Sequence, residues 1–286
     1  MLGAGPRRAA ANDGRCHGDE VTLIYIGLPV HDERHTIGPL LWRIRKVLLE
    51  QAGDFHLVVV DDASTDGTDR ALEPYRRILP LTLIHHEARK GYAGSLERIV
   101  REVLERSGYH RRDALLTLQA DFTDAPEAIP EMIRRFRSGA DLVAGAPRMD
   151  RRPPTAVRLG RAGASLLTRS LPAAQEVEDP LGGFRLYRLF LLERALREAS
   201  DAEGRLLRHQ GWAANAELLA RVLPHARRVE EVEFPLTYTR RYRESRFRAL
   251  PELWGLLRVG LDRGLRRAVR GGDGREQALE AGGGSG

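Results

Sequence analysis

The apolar run Val58-Val59-Val60 ends in two carboxylates, Asp61 and Asp62, and runs straight into the turn Ala63-Ser64-Thr65-Asp66-Gly67-Thr68. A strand of consecutive β-branched residues is buried on both faces, which is the condition of a strand inside a parallel sheet covered by helices. Acids and small polar residues at its end belong at the carboxyl edge of such a sheet, where ligands bind. Similar strand ends recur along the chain. Val21 to Leu28 reads as a first strand, followed by the loop Pro29-Val30-His31-Asp32-Glu33 and a helix from Thr36 to Leu49. Phe55 to Val60 is the second strand, with a helix over 66–79; Leu81 to His85 is the third, and Gly91 opens a helix reaching about Ser107. Ala114 to Leu118 is the fourth, ending in Gln119-Ala120-Asp121; a helix over 128–137 and a strand from Asp141 to Ala144 follow. Alternation at this spacing predicts an α/β fold with a largely parallel sheet and right-handed crossovers.

Beyond Gly145 the rhythm changes. Arg151 to Pro154 reads as a mobile loop that carries, with Arg148, a cluster of solvated arginines, and 157–171 as a helix. Asp179 to Arg185 is a Gly-rich turn feeding a short strand; 215–223 is helical and 228–238 a strand. Residues 1–20 lack the apolar core of a secretory signal and read as a disordered leader, and 271–286 as a disordered tail.

Charge is unevenly spread. Lys plus Arg against Asp plus Glu is 35 against 34 over residues 1–239, 10 against 3 over 240–270, and 1 against 3 over 271–286. The net +6 therefore resides in one C-terminal segment. Within it, Leu250, Leu253, Trp254, Leu257, Leu261 and Leu265 share one helical face, with Arg263, Arg266, Arg267 and Arg270 opposite. A basic amphipathic helix over 249–270 either packs on the catalytic core or lies on an anionic membrane surface. A nucleic-acid partner is disfavoured, because Tyr242 and Trp254 make a poor base-stacking platform. No apolar run approaches the ~20 residues that span a bilayer. The single Cys16 permits no internal disulfide and fits a cytoplasmic location, peripheral to the inner face of the membrane if the helix attaches there.

Each motif has a plainer reading beside the chemical one. Asp61, Asp62 and Asp66 could cap the next helix. Lys90-Gly91-Tyr92-Ala93-Gly94 matches no phosphate-binding fingerprint and could be a tight turn. What raises the chemical reading is the second acidic strand end, Gln119-Ala120-Asp121, since two such ends on one parallel sheet converge on the same edge. Carboxylates there suit a hard divalent ion and a nucleotide. Glu217 lies in an apolar stretch, Trp212 to Leu219, where shielding predicts a raised pKa and a base.

The ordered series LPVHDE, VVVDDASTDGT, RKGYAGSL, LQADFTDAPE, DPLGGFRLYR and RRYRESR resembles glycosyltransferase family 2, nearest its dolichol-phosphate mannosyltransferase and polyprenyl-phosphate glycosyltransferase branch. The likeness covers residues 21–248 and implies a GT-A type fold, with a nucleotide half over 21–145 and an acceptor half over 146–248. It implies that Pro29, His31 and Glu33 line the nucleotide, with Asp62 on the base and Asp61 beside it. Lys90 and Gly91 fall near the ribose and diphosphate. Asp121, with Gln119 and Ala120, matches the metal-binding Asp-Ala-Asp for Mg2+ or Mn2+. Gly183, Phe184 and Arg185 match the loop under the sugar, Arg185 assisting the leaving diphosphate. Glu217 faces the acceptor, and Arg240, Ser245 and Arg246 match a loop for the acceptor phosphate. Four residues depart from the pattern: Gln119 for the first Asp, Thr123 for Gln, His31 for Tyr and Arg243 for Gly. Losing one negative charge at Gln119 predicts a weaker metal site. The implied reaction is inverting transfer of a hexose from a nucleoside-diphosphate sugar, GDP-mannose or UDP-glucose in type, to a polyprenyl phosphate. A soluble transferase acting on a hydroxyl, and a nucleotide-sugar-binding protein without turnover, are the alternatives.

Overall fold

A computed structural model describes residues 22–49, 54–149, 176–199 and 204–236. The expected leader, the 151–154 loop, the 157–171 helix, Arg240, Ser245 and Arg246, the 249–270 helix and the tail lie outside them.

Seven strands form one sheet: β1 Ile24–Val30, β2 Phe55–Asp61, β3 Leu81–His85, β4 Ala114–Thr117, β5 Leu142–Met149, β6 Arg185–Arg188 and β7 Val229–Leu236. The order is β3-β2-β1-β4-β6-β5-β7, and β6 alone runs antiparallel to its neighbours β4 and β5. The sheet passes unbroken from one half of the chain into the other. Among the described residues six α-helices flank it: α1 Ile37–Leu49, α2 Thr68–Arg76, α3 Gly91–Arg106, α4 Ile129–Arg137, α5 Leu189–Ala199 and α6 Trp212–Val222. Among the described residues no helix is long and apolar enough to cross a membrane.

Side-chain alternation splits the core in two. Ile24, Ile26 and Leu28 of β1 join Leu57 and Val59 of β2 against α1 and α4. Val58 and Val60 point the other way, into a layer built from α3, α5 and α6. All of these are fully or almost fully buried, each aliphatic side chain contributing roughly 1.5–3 kcal/mol against exposure. The first two crossovers, α1 and α2, pack with each other on one face. The return from β3 to β4 runs through α3 on the opposite face, so the winding reverses between β1 and β4. That reversal opens a crevice at the carboxyl edge.

The expected elements are found with shifted ends. Pro29 and Val30 belong to β1 rather than to the loop after it, because they continue the ladder to Val60 and Asp61. β5 extends to Met149, held by parallel pairing with β7. Helix α5 was not foreseen.

Candidate active site

Register places both acidic strand ends at the crevice. Val30 pairs with Asp61, and Gly27 with Thr117, so Asp61–Asp62 and Gln119–Asp121 project on either side of the end of β1. β2 and β4 are two strand spacings, or about 10 Å, apart, a gap on the scale of a diphosphate and its counter-ion.

The first two βα loops are stitched together. Asp32, in left-handed backbone conformation at φ 51°, donates its amide to Ser64 Oγ (2.8 Å) and accepts the Thr65 amide (2.8 Å). The Glu33 amide donates to Thr68 Oγ1 (2.9 Å) and the Arg34 amide to Asp66 (3.1 Å). Asp66 also accepts the Thr68 amide at 3.0 Å, a turn bond made from just outside the helix, whose N-cap is Gly67 and carries no side-chain cap. Its carboxyl sits below the usual range: burial raises it, and the bonds from Thr68 and Arg34 lower it by more. His31 Nδ1 donates to the Asp62 carbonyl (2.8 Å), and Glu33 accepts the Thr36 hydroxyl (2.6 Å). Asp61 accepts the Ser64 amide at 3.2 Å and the Ser64 hydroxyl, and meets His85 Nδ1 at 3.2 Å. The Ser/Thr turn thus serves architecture, holding His31, Asp32 and Glu33 at the rim.

Asp62 is brought together with Lys90 and Gly91, in an unforeseen way. Its carboxylate is buried and accepts the amides of Lys90 and Gly91, both at 2.8 Å, and Nδ1 of buried His86 at 2.9 Å. Three of about four acceptor positions on a carboxylate are thereby used, leaving one at most for a ligand. From the other side, Gln210 accepts the Ala93 amide at 3.1 Å and donates to the Lys90 carbonyl at 3.2 Å. The Lys90, Gly91 and Ala93 amides are therefore satisfied within the protein, and the Lys90 side chain is exposed beside them. Gly91 is required there. Its φ is +78°, and an added Cβ would lie 2.5 Å from Gln210 Oε1. Gly91→Ala is expected to lose about 1–3 kcal/mol, read as a lower urea midpoint at unchanged slope.

On the far side of β1, Gln119 and Asp121 are half-buried while Ala120 is buried. Asp124, also buried, accepts the Gln119 amide at 2.7 Å, and Asp121 accepts the Thr123 amide at 2.9 Å around Phe122 at φ 62°. Among the described residues no three His, Cys, Asp or Glu side chains gather as a metal-binding group. One carboxylate and one amide oxygen fit an ion that draws its other ligands from phosphate and water, as Mg2+ commonly does, rather than a cage built by protein alone. A cavity of about 410 Å³ opens behind this turn between Thr123, Asp124, Arg43 and Phe234; Asp62, Lys90 and Asp121 are not in its wall.

Three of the expected site residues are buried among protein partners, and for one of them the expected pKa is corrected. Phe184 is 2 % exposed and packs edge-on against Phe234 with ring centroids 5.3 Å apart, so its side chain is part of the core. Arg185 is 1 % exposed, donating to the carbonyls of Asn215 (2.8 Å) and Asp179 (3.0 Å). It braces the turn below Gly183 instead of reaching into the crevice. Gly183 itself accepts the Thr117 hydroxyl (2.6 Å), and its missing Cβ admits the Tyr92 hydroxyl, which donates to Asn215 at 2.8 Å. Glu217 is the third. Fully buried, it accepts the amides of Arg208 (2.9 Å) and His209 (3.0 Å), His209 Nδ1 (2.8 Å) and Arg221 Nη2 (2.7 Å). Burial pushes its pKa up, but the bonds from His209 and Arg221 outweigh burial and hold it below the ordinary range. The expected raised pKa is overturned. Arg148, in contrast, is an exposed partner of Glu178 and Glu233, in keeping with a solvated arginine.

Residues 204–211 were missed altogether, and they join the two halves. Glu97 of α3 accepts the amides of Leu206 (3.0 Å) and Leu207 (3.1 Å), Gln210 holds the Lys90 turn, and Glu217 holds residues 208 and 209. The only local signal was Arg221, four residues after Glu217 on the same helix.

A mainly parallel seven-stranded sheet with one reversed strand, and acidic ends meeting at its switch point, is the GT-A fold of glycosyltransferases. Residues 25–196 match the profile of Glycosyl transferase family 2, and the chain belongs to that family. It is 28 % identical over 171 residues to a dolichol-phosphate mannosyltransferase of Pyrococcus furiosus, covering 58 % of this chain and 46 % of that one. It is 30 % identical over 142 residues to an undecaprenyl-phosphate 4-deoxy-4-formamido-L-arabinose transferase of Pseudomonas aeruginosa, covering 46 % of this chain and 37 % of the relative. The chain thus spans less than half the length of these curated relatives. Among solved structures, glucosyl-3-phosphoglycerate synthase of Mycobacterium tuberculosis with Mn2+, UDP-glucose and phosphoglyceric acid superposes with a TM-score of 0.60 at 20 % identity, over 87 % of this chain and 80 % of that one.

Proposed function

We propose that this family 2 glycosyltransferase moves a hexose, with inversion, from a nucleoside-diphosphate sugar to a polyprenyl phosphate at a membrane surface. The observation that carries the reading is the state of Glu217. A hydroxyl acceptor must lose a proton to a base during attack, and the one acid expected to serve the acceptor side is buried, bonded through both oxygens and held below its ordinary pKa. A phosphate acceptor is already an oxyanion near neutral pH and needs positioning alone. The two curated relatives described above carry polyprenyl-phosphate acceptors in their names, in agreement with this choice.

In this mechanism His31, Asp32 and Glu33 form the rim over the nucleotide, and Asp62 acts mainly through the turn it fastens, presenting the Lys90 ammonium to the diphosphate. Asp121, with the Gln119 side-chain oxygen, would hold a Mg2+ or Mn2+ ion, which when bound offsets charge growing on the leaving diphosphate. Arg185 keeps the Gly182–Gly183 turn in place beneath the sugar. Arg240, Ser245 and Arg246, beyond the described residues, are assigned to the acceptor phosphate on the family resemblance.

The test has two stages. Thermal shift with GDP- and UDP-sugars, with and without Mn2+, identifies the donor, because a ligand that binds only the native state raises the midpoint. Transfer of labelled sugar to a prenyl phosphate, against the matching prenyl alcohol, then identifies the acceptor. Transfer to the alcohol alone would refute the phosphate reading. Donor binding with neither transfer nor hydrolysis would favour a binding protein without turnover, the reading that Gln119 supports. A charge argument gives a sharper check on the ion. Gln119→Asp restores a second carboxylate and is expected to tighten Mn2+ binding about tenfold, measured by calorimetry in the presence of nucleoside diphosphate.

A further inference from the structure

Helix α1 carries three basic residues, Arg43, Arg45 and Lys46, and no acidic one. Its buried stripe is Ile37, Leu40, Leu41, Ile44 and Leu48. On the opposite side Trp42, Arg45, Lys46 and Leu49 follow at i, i+3, i+4 and i+7, which aligns them on one helical face. Trp42 is 54 % and Leu49 62 % exposed, and the Arg45 guanidinium lies 5.1 Å from the centre of the Trp42 ring. The described residues expose four large apolar side chains; two are these, and a third, Ile78 at 60 %, follows α2, the helix packed beside α1. Arg76 and Arg77 precede it, Arg76 paired with Glu73, while Arg43 is paired with Glu127. Leaving tryptophan, leucine and isoleucine in water is costly, and a monomer seldom exposes them together without use.

We infer that this outer face of α1, anchored by Trp42 and Leu49 and flanked by Arg45 and Lys46, docks on an anionic lipid bilayer. Tryptophan with lysine or arginine at its side is the composition of a membrane–water interface, where the ring sits at headgroup depth and the cations meet acidic lipid. Charge decides against the other occupants. The basic segment 249–270 would bring like charge against Arg45 and Lys46, and so would a second copy in a two-fold contact. The inference rests on the reading of a lipid-borne acceptor and adds a place of contact to it. α1 starts just after Thr36 at the carboxyl edge and runs back along the sheet for about 20 Å, so one end of this face lies on the crevice side of the fold.

The experiment uses the full chain with phosphatidylcholine vesicles, with and without phosphatidylglycerol, in the absence of donor and acceptor. Binding is expected to the anionic vesicles only. Arg45→Ala with Lys46→Ala is expected to weaken it about twenty-five-fold, at roughly a factor of five for each basic residue near the surface. In a Trp254→Phe background, which silences the tryptophan of the 249–270 segment, brominated lipid is expected to quench part of the tryptophan emission, and adding Trp42→Phe to remove that quenched part while binding persists. No vesicle binding, binding unchanged in the double variant, or quenching that survives Trp42→Phe would each overturn the inference. So would a dimer in sedimentation velocity that Trp42→Ser dissolves, in favour of a second copy. Trp42 and Lys46 are exposed, Arg45 is half-buried against the Trp42 ring, and all lie outside the crevice, so donor binding by thermal shift stays at wild-type level in every variant. Failure of prenyl phosphate transfer with vesicle binding intact would refute the acceptor reading alone.

Discussion

Glu217→Leu is expected to cost about 3–5 kcal/mol of folding stability, the penalty for breaking a buried ion pair on one side. The substitution would strand the Arg221 guanidinium, the His209 ring and two loop amides that Glu217 now satisfies. Urea unfolding measures it, and a loss under 1 kcal/mol would contradict the geometry. Glu217→Gln keeps some of the bonds and should fall between. The same contacts set a pH dependence of definite sign. Because the folded pKa lies below the ordinary carboxylate value of about 4.3, the unfolded state takes up the proton first. The contribution of Glu217 is thus complete above that value and is lost as the pH falls through the lower folded pKa. Activity in Glu217 variants is expected to follow the folded fraction, without a displaced limb in the pH–rate profile that removal of a general base would produce.

Asp121→Asn is expected to behave in the opposite way, with little change in melting temperature and a large loss of turnover. The Thr123 amide that Asp121 accepts can equally be accepted by an asparagine oxygen. The carboxylate charge is what an ion at this edge would need, since Gln119 supplies none. Several kcal/mol of transition-state stabilisation depends on a bound metal, which corresponds to about a thousandfold in kcat. Paired measurement of sugar transfer and Mn2+ affinity checks the prediction. Full activity in Asp121→Asn, at unchanged affinity, would dismiss Asp121 as the ion's ligand.

The difference between these two acids marks where the residues could be read from the chain alone. The βα rhythm from Ile24 to Met149 was legible because apolar runs, helical spacing and strand-end acids are local signals, and Leu81–His85 matched residue for residue. Helix α5 was hidden because Leu189 to Leu192 follow β6 directly, with no glycine, proline or capping residue to mark the boundary. Asp121 stood out by its place at a strand end. Glu217 was misread for a physical reason: an apolar neighbourhood predicts desolvation but says nothing of the cation and loop amides that enter it. Gln210, Glu97 and Asn215 had no local signature, because their partners lie 117, 109 and 123 residues away in the chain. Phe184 and Arg185 were placed near the right turn, yet which of them faces inward depends on the pairing of β6 with β4.

That pairing has a further consequence. A strand laid parallel to β4 would deliver its trailing end to the crevice, whereas the inverted β6 delivers its leading end. Residues 179–184 therefore arrive at the ligand edge before the strand begins, and Arg188 leaves at the opposite rim, beside Asp141. Lengthening the chain ahead of Arg185 would alter the wall of the crevice; lengthening it after Arg188 would change the outline of the far rim and leave the crevice as it was.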